Sequence, residues 1–201
     1  ICSTLVTSVY LLVDTLIIGQ GVGALGISAL NIFMPFFLLF NGIGLLFGIG
    51  SGILISSEDG MGNKKKANQY FATGFVSILS IAIILGLIWN YYLQPLCVIL
   101  GANSDTIDLV LEYGKCIMAF APVFMMSNYF APIVRNMKNP KLVMCAVLTG
   151  SVLNVILDYV FVFPMDMGMF GAAAATVIGS LTTLLVLSTH FIKKQNRVKI
   201  N

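Results

Sequence analysis

The fold turns on the stretch NPKLVMCAVLTGSVLNVILDYVFVFPMDMGMFGAAAATVIG, Asn139 to Gly179. It contains two apolar runs parted by a short turn, each long enough for a helix to cross a hydrocarbon core about 30 Å thick at about 1.5 Å per residue. In the first run Asn154 and Asp158 stand four residues apart, just over one helical turn, so they share a face; Thr176 follows in the second run, which is rich in Ala and Gly. An ionisable side chain near the bilayer centre costs roughly 2.5–3.5 kcal/mol, so it faces a bundle interior and marks an ion or substrate path. An ionised carboxylate at that depth also needs a cationic partner or a proton, and no Lys or Arg lies deep in any apolar run. The reading is an oxygen-lined site for a proton or cation. The alternative is that Asn154 and Asp158 only join helices through hydrogen bonds.

The rest of the chain fits a membrane setting. Of 201 residues, 58% are hydrophobic and 9% charged, with a mean hydropathy of +0.97, against about 25% charged residues in soluble domains. The chain is expected to be an all-α, polytopic membrane protein, a six-transmembrane-helix bundle with spans at about 1–18, 28–56, 69–93, 106–134, 140–163 and 170–191. It starts at Ile1 inside an apolar run, with no basic leader and cleavage site, and reads as a piece of a longer protein. Cys2, Cys97, Cys116 and Cys145 have no CxxC or Cys/His spacing and read as small hydrophobes in helices. The net charge of +3 calls for no nucleic-acid partner.

In the first span Asp14 repeats the signal of Asp158, a carboxylate in an apolar helix, though nearer a helix end. Tyr10, one turn earlier on the same face, either hydrogen-bonds it or is an ordinary core or interface aromatic. The second span, Ser28 to Ser56, would be about 43 Å long, so it should tilt, bend at Pro35 or project into water. Gly44, Gly48 and Gly52 repeat every four residues, a spacing that lets another helix backbone approach closely. With no strand before it and no βαβ unit around it, the glycine run carries no nucleotide fingerprint.

Trp89, Tyr91 and Tyr92 resemble an interfacial aromatic belt, and Pro95 should end the third span. Asp108 and Glu112 open the fourth favourably for its dipole, and Pro122 and Pro132 should kink it. Asn139 and Pro140 make an N-cap and first-turn pair for the fifth. His190 is expected to be a solvated end residue rather than a pH sensor. Ten of the eleven Lys and Arg fall in the breaks after spans two, four and six, while Asp105, Asp108, Glu112 and Asp166 lie at the other end. By the positive-inside rule both termini of this segment are cytoplasmic.

VDTLIIG in the first span, the glycine-rich second span ending in a basic loop, and above all RNMKNPKLVM…GSVLNVILDYVFVFPMDMGMFGAAAATVIG resemble the multidrug and toxic compound extrusion (MATE) family, and the DinF-like branch within it. The resemblance runs from end to end and is most specific over Arg135 to Gly179. It implies half of a twelve-helix transporter, the amino-terminal six-helix lobe (residues 1–201), with a second lobe in the same polypeptide or a second copy. It also implies a cation site at Asp14, Asn154, Asp158 and Thr176, with Tyr10 and Ser151 lining the cavity beside it.

On this reading the protein is a secondary antiporter of the plasma membrane that exports cationic, amphipathic drugs in exchange for protons or sodium, with no cofactor beyond that coupling ion. Cation entry at the carboxylates neutralises the charge that attracts the drug and so expels it. Burial and a neighbouring carboxylate favour proton uptake, and an all-oxygen site suits a hard cation such as sodium, so both ions fit. Phe33, Phe36, Phe37 and Phe40, or Met118, Met125 and Met126, are candidate drug contacts, although packing or lipid contact is the commoner role for any one of them. A flippase for lipid or lipid-linked saccharide in the same superfamily would need basic residues within its helices, which this chain lacks. An inactive half-transporter fragment is the third reading, because rocking of one lobe against another needs both. No Cys/His, Ser/His/Asp or metal-ligand constellation suggests an enzyme.

Overall fold

The computed structural model describes the backbone of residues 2–192 and the side chains of residues 9–191. The helices are α1 (Cys2–Gly21), α2 (Ala24–Gly60), α3 (Lys64–Tyr91), α4 (Leu93–Ile99), α5 (Ile107–Ala119), α6 (Ala121–Asn136), α7 (Pro140–Val162) and α8 (Gly168–Ile192), with no strand among the described residues. By length and apolarity α2, α3, α7 and α8 can each cross a membrane, and α5 with α6 forms a fifth, bent span. At 20 residues α1 is about 30 Å long, also of spanning length. The chain is an all-α bundle whose basic residues at Lys64–Lys66 and between Arg135 and Lys141 share one end, while Asp105, Asp108 and Asp166 share the other.

Several boundaries depart from expectation. The span expected over 106–134 is two helices meeting at 56° around Phe120. Pro122 has no N–H to donate to the carbonyl of Met118, so the helix breaks two residues before the proline. Pro95 does not end the third span: α3 stops at Tyr91, and the proline sits in the first turn of α4, where its missing N–H costs no helical bond. At 37 residues α2 is about 55 Å long, and the lysines expected in a loop form the first turn of α3.

Two glycine seams hold the bundle together. A Cβ built at Gly44 would lie 2.8 Å from the Met125 carbonyl oxygen, and one at Gly48 would lie 2.7 Å from that of Tyr129, so α2 and α6 touch backbone to backbone. Gly150 and Gly179 do the same for α7 and α8, where a Cβ on Gly179 would sit 2.8 Å from the Gly150 carbonyl oxygen. Gly42 and Gly50 face open space on the outer side of α2. Across the core, the fully buried Tyr129 of α6 donates its hydroxyl to the Phe71 carbonyl of α3 at 3.0 Å.

Two side-chain expectations change, and others resolve. Trp89 turns inward against Phe36 and Phe40, with ring centroids 5.6 and 5.1 Å apart, while Tyr91 and Tyr92 stay exposed as belt residues. His190 is buried rather than solvated, its Nδ1 3.3 Å from the amide nitrogen of Asn139, whose Oδ1 caps α7 by accepting from Leu142 N. Phe33, Phe36, Phe40, Met118, Met125 and Met126 are core residues. Cys97 is buried, Cys116 half-buried and Cys145 exposed; the Cys2 side chain, like the basic residues after Ile192, lies outside the described residues.

Candidate functional site

Three helices bring the site together. Tyr10 and Asp14 lie one turn apart on α1; Ser151, Asn154 and Asp158 lie on one face of α7, at offsets of three and four; Thr176 comes from α8. The α7–α8 glycine seam sets the separation, since the space a Gly179 Cβ would occupy is only 2.8 Å from Asn154 Cβ. Asn154 Nδ2 consequently reaches Thr176 Oγ1 at 3.5 Å, while the threonine hydroxyl donates to the Ala172 carbonyl at 3.0 Å. The Asp14 and Asp158 carboxyls face each other across the α1–α7 contact, close enough to interact, with Asn154 beside Asp158.

Burial is deep: Asp158 is 0% exposed and Asp14 4%. Four oxygens here, Asp14 Oδ1, Asn154 Oδ1 and both carboxylate oxygens of Asp158, are buried with no hydrogen bond of good geometry, although the two carboxyls and the Asn154 amide lie close to one another. Among the described residues no ion pair meets either carboxylate, and no group of three His, Cys, Asp or Glu could hold a metal ion. Two buried carboxylates without a cationic partner are unstable together, since each desolvated charge repels the other. A proton shared between them, or a hard cation among these oxygens, removes that instability.

The sequence did not single out Tyr113 of α5. It is buried, its hydroxyl lies beside that of Thr176, and its ring packs edge-on against Phe33 at 5.3 Å. With Tyr10, Asp14, Phe37 and Thr176 it encloses a chamber of about 20 Å³, room for a single small ion or water. On the other side of Tyr10, Phe37 and Thr176 lies a cavity of about 160 Å³, lined also by Asn41, Ser127, Asn128, Ser151 and Asn154 and by no charged side chain. Asn128 Nδ2 donates to Asn41 Oδ1 at 2.7 Å, tying α6 to α2 along its wall. Of the aromatic and methionine residues expected to line a drug cavity, only Phe37 does so.

The family described as MatE matches residues 1–160. The chain is 31% identical over 204 residues to the multidrug export protein MepA of Staphylococcus aureus strain MSSA476, across 98% of this chain and 44% of that protein. It is also 31% identical over 181 residues to MepA of Staphylococcus saprophyticus, across 87% of this chain and 39% of that protein. A solved inward-facing multidrug resistance MATE transporter of the MOP superfamily superposes with a TM-score of 0.90 at 25% identity, covering 96% of this chain and 44% of that one. A MATE structure in the bent conformation shares the fold, with a TM-score of 0.92 over the full chain. The chain thus spans a little under half the length of the relatives it matches.

Proposed function

The chain belongs to the MATE family, and from that premise we propose that it is the amino-terminal six-helix lobe of a secondary antiporter that exports cationic, amphipathic drugs in exchange for protons or sodium. It acts as a transporter rather than an enzyme, as a multi-pass protein of the plasma membrane with both ends of this segment cytoplasmic. A second six-helix lobe, in the same polypeptide or a second copy, completes the transport path.

One observation carries the reading. Asp14 and Asp158 are buried face to face without a cationic partner, and their unsatisfied oxygens, with that of Asn154, stand beside Thr176. In this scheme the cation binds at Asp14, Asn154, Asp158 and Thr176; of these, Asp14 and Thr176 line the small chamber with Tyr113, and Asn154 lines the larger cavity next to it. The larger cavity takes the drug: it carries no Lys or Arg, so it offers an anionic cargo nothing, while the two carboxylates nearby attract a cationic one. Tyr10, Phe37 and Thr176 line both spaces, so an ion arriving in one is felt in the other.

The test is a sodium-binding isotherm on the purified chain in detergent at pH 7.5, repeated at pH 5.5 and with Asp158→Asn. Protonation neutralises a carboxylate and so opposes sodium. Saturable binding at pH 7.5 should therefore weaken in acid and vanish in the variant. Binding that persists unchanged in Asp158→Asn would take Asp158 out of the site, and no binding at either pH would remove sodium from the mechanism, leaving a proton-only antiporter or the flippase.

A further inference from the structure

A second recess lies away from the site, at the α5–α6 break. It encloses about 150 Å³; α3 supplies Ala82, Gly86 and Leu87, and Met118, Ala119 and Pro122 form the opposite wall. It shares no lining residue with the cavity beside Asn154. The sequence builds it in two ways. Ala82 and Gly86, one turn apart, leave the α3 surface without bulk, and the 56° bend swings α6 away from the line of α5. The Met118 carbonyl, for which Pro122 has no N–H, lies over Gly86, where a Cβ would stand 3.1 Å from the oxygen.

The recess opens outward. Leu87 and Ile83 on its rim are exposed on the α3 face away from the bundle, and α3 contributes nothing to the larger cavity where the transport path is proposed, so on a membrane-spanning chain this face is open to acyl chains. One end carries Asn90, an exposed amide next to the exposed Tyr91 and Tyr92, where aromatic belts sit at headgroup level. The space matches an apolar cavity of about 150 Å³ that holds a benzene-sized guest. It is too small for a helix about 10 Å across and large enough for a stretch of acyl chain.

We propose that this recess binds one phospholipid of the surrounding leaflet, with an acyl segment between α3 and the α5–α6 break and the ester region at Asn90. A lipid held there wedges the bend that joins Tyr113 on α5 to Asn128 on α6, and so fixes the relative placement of two walls of the candidate site. The proposal does not depend on the cation reading.

Native mass spectrometry of the 201-residue chain, extracted in mild detergent, counts phospholipid retained per chain. Ala119→Leu fills the recess from an exposed wall position, Asn90→Ala removes the polar end, and Leu46→Ala alters an exposed α2 position elsewhere. The wild-type chain should keep one phospholipid. Occupancy should fall at least fivefold in Ala119→Leu, by less in Asn90→Ala, and not at all in Leu46→Ala. Should Ala119→Leu fail to purify as a helical chain, Leu87→Trp fills the same recess from the lipid side and is read in the same way. No retained lipid in the wild type, equal retention in the filled variant, or equal loss in Leu46→Ala would each overturn the proposal, as would a dimer whose contact occupies the recess.

Discussion

Gly179→Ala ties packing to the site and can be worked through from distances. A Cβ there would stand 2.8 Å from the Gly150 carbonyl oxygen and from Asn154 Cβ, and ordinary contact begins near 3.4 Å, so α7 and α8 must part by about 0.6 Å. The obstacles are a backbone atom and the root of a buried side chain, neither of which can swing aside. Forcing a methyl into such a contact costs about 1–3 kcal/mol, which for a chain of this size lowers Tm by about 2–4 °C per kcal/mol. The site suffers too: Asn154 Nδ2 and Thr176 Oγ1 already stand at 3.5 Å, and the same displacement separates them. Gly50→Ala is the matched control, because its Cβ meets nothing within 4 Å and alanine is the better helix former by up to about 1 kcal/mol. Thermal unfolding in detergent, followed by circular dichroism, should show Gly179→Ala melting lower and Gly50→Ala melting at or above the wild type. Sodium binding should weaken only in the first. Equal melting temperatures for the two variants would refute the claim that the seam is closed at Gly179.

Other substitutions probe single contacts. Thr176→Val keeps the shape but removes the oxygen facing Asn154; the loss of one hydrogen bond, about 1 kcal/mol, should weaken sodium binding about fivefold, and an unchanged isotherm would take Thr176 out of the site. Tyr129→Phe deletes the hydroxyl bonded to the Phe71 carbonyl, and Tm should fall by about 2–4 °C with cation binding intact. Glu112 Oε1 accepts from Phe170 N at the start of α8, at 3.2 Å, so Glu112→Ala should lower Tm slightly at low salt and less in 1 M salt; a salt-independent loss would mean that the carboxylate does not act on the helix end.

Asn154, Asp158 and Thr176 were readable together, and Asp14 singly, because polar groups in apolar helices have few reasons to exist, while only the family resemblance joined Asp14 to the others; in the structure Asp14 and Asp158 interact and Asn154 reaches Thr176. Tyr113 gave no such signal. A tyrosine in an apolar run resembles any core or interface aromatic, and the groups it meets, on α1 and α8, are distant in sequence. The phenylalanines and methionines were only candidates for drug contact, with packing the commoner role, for a related reason. In helices apolar on nearly every face, periodicity does not tell inside from outside, so residues suited to touch a drug were found filling the core. Pro122 announced a kink, but its angle depends on how α3 and α8 hold the two pieces. Trp89 and His190 looked like end residues by position; partners on other helices, Phe36 and Phe40 for one and Asn139 for the other, drew them inward.

The break at Phe120 also bears on how the chain is made. At 13 residues α5 is about 20 Å long, too short to cross a core of about 30 Å by itself. The insertion machinery must therefore pass α5 and α6 into the bilayer as one segment, before α8, made last of the described helices, can clasp α5 through Glu112. Pro122 breaks the helix as α5 and α6 form, and α2 and α3, made earlier, already pack on both pieces, so a chain stalled before α8 should carry the bend with the two pieces less firmly held. Proteolytic quality control acting during synthesis would meet that intermediate with the candidate cation chamber still lacking its Thr176 wall.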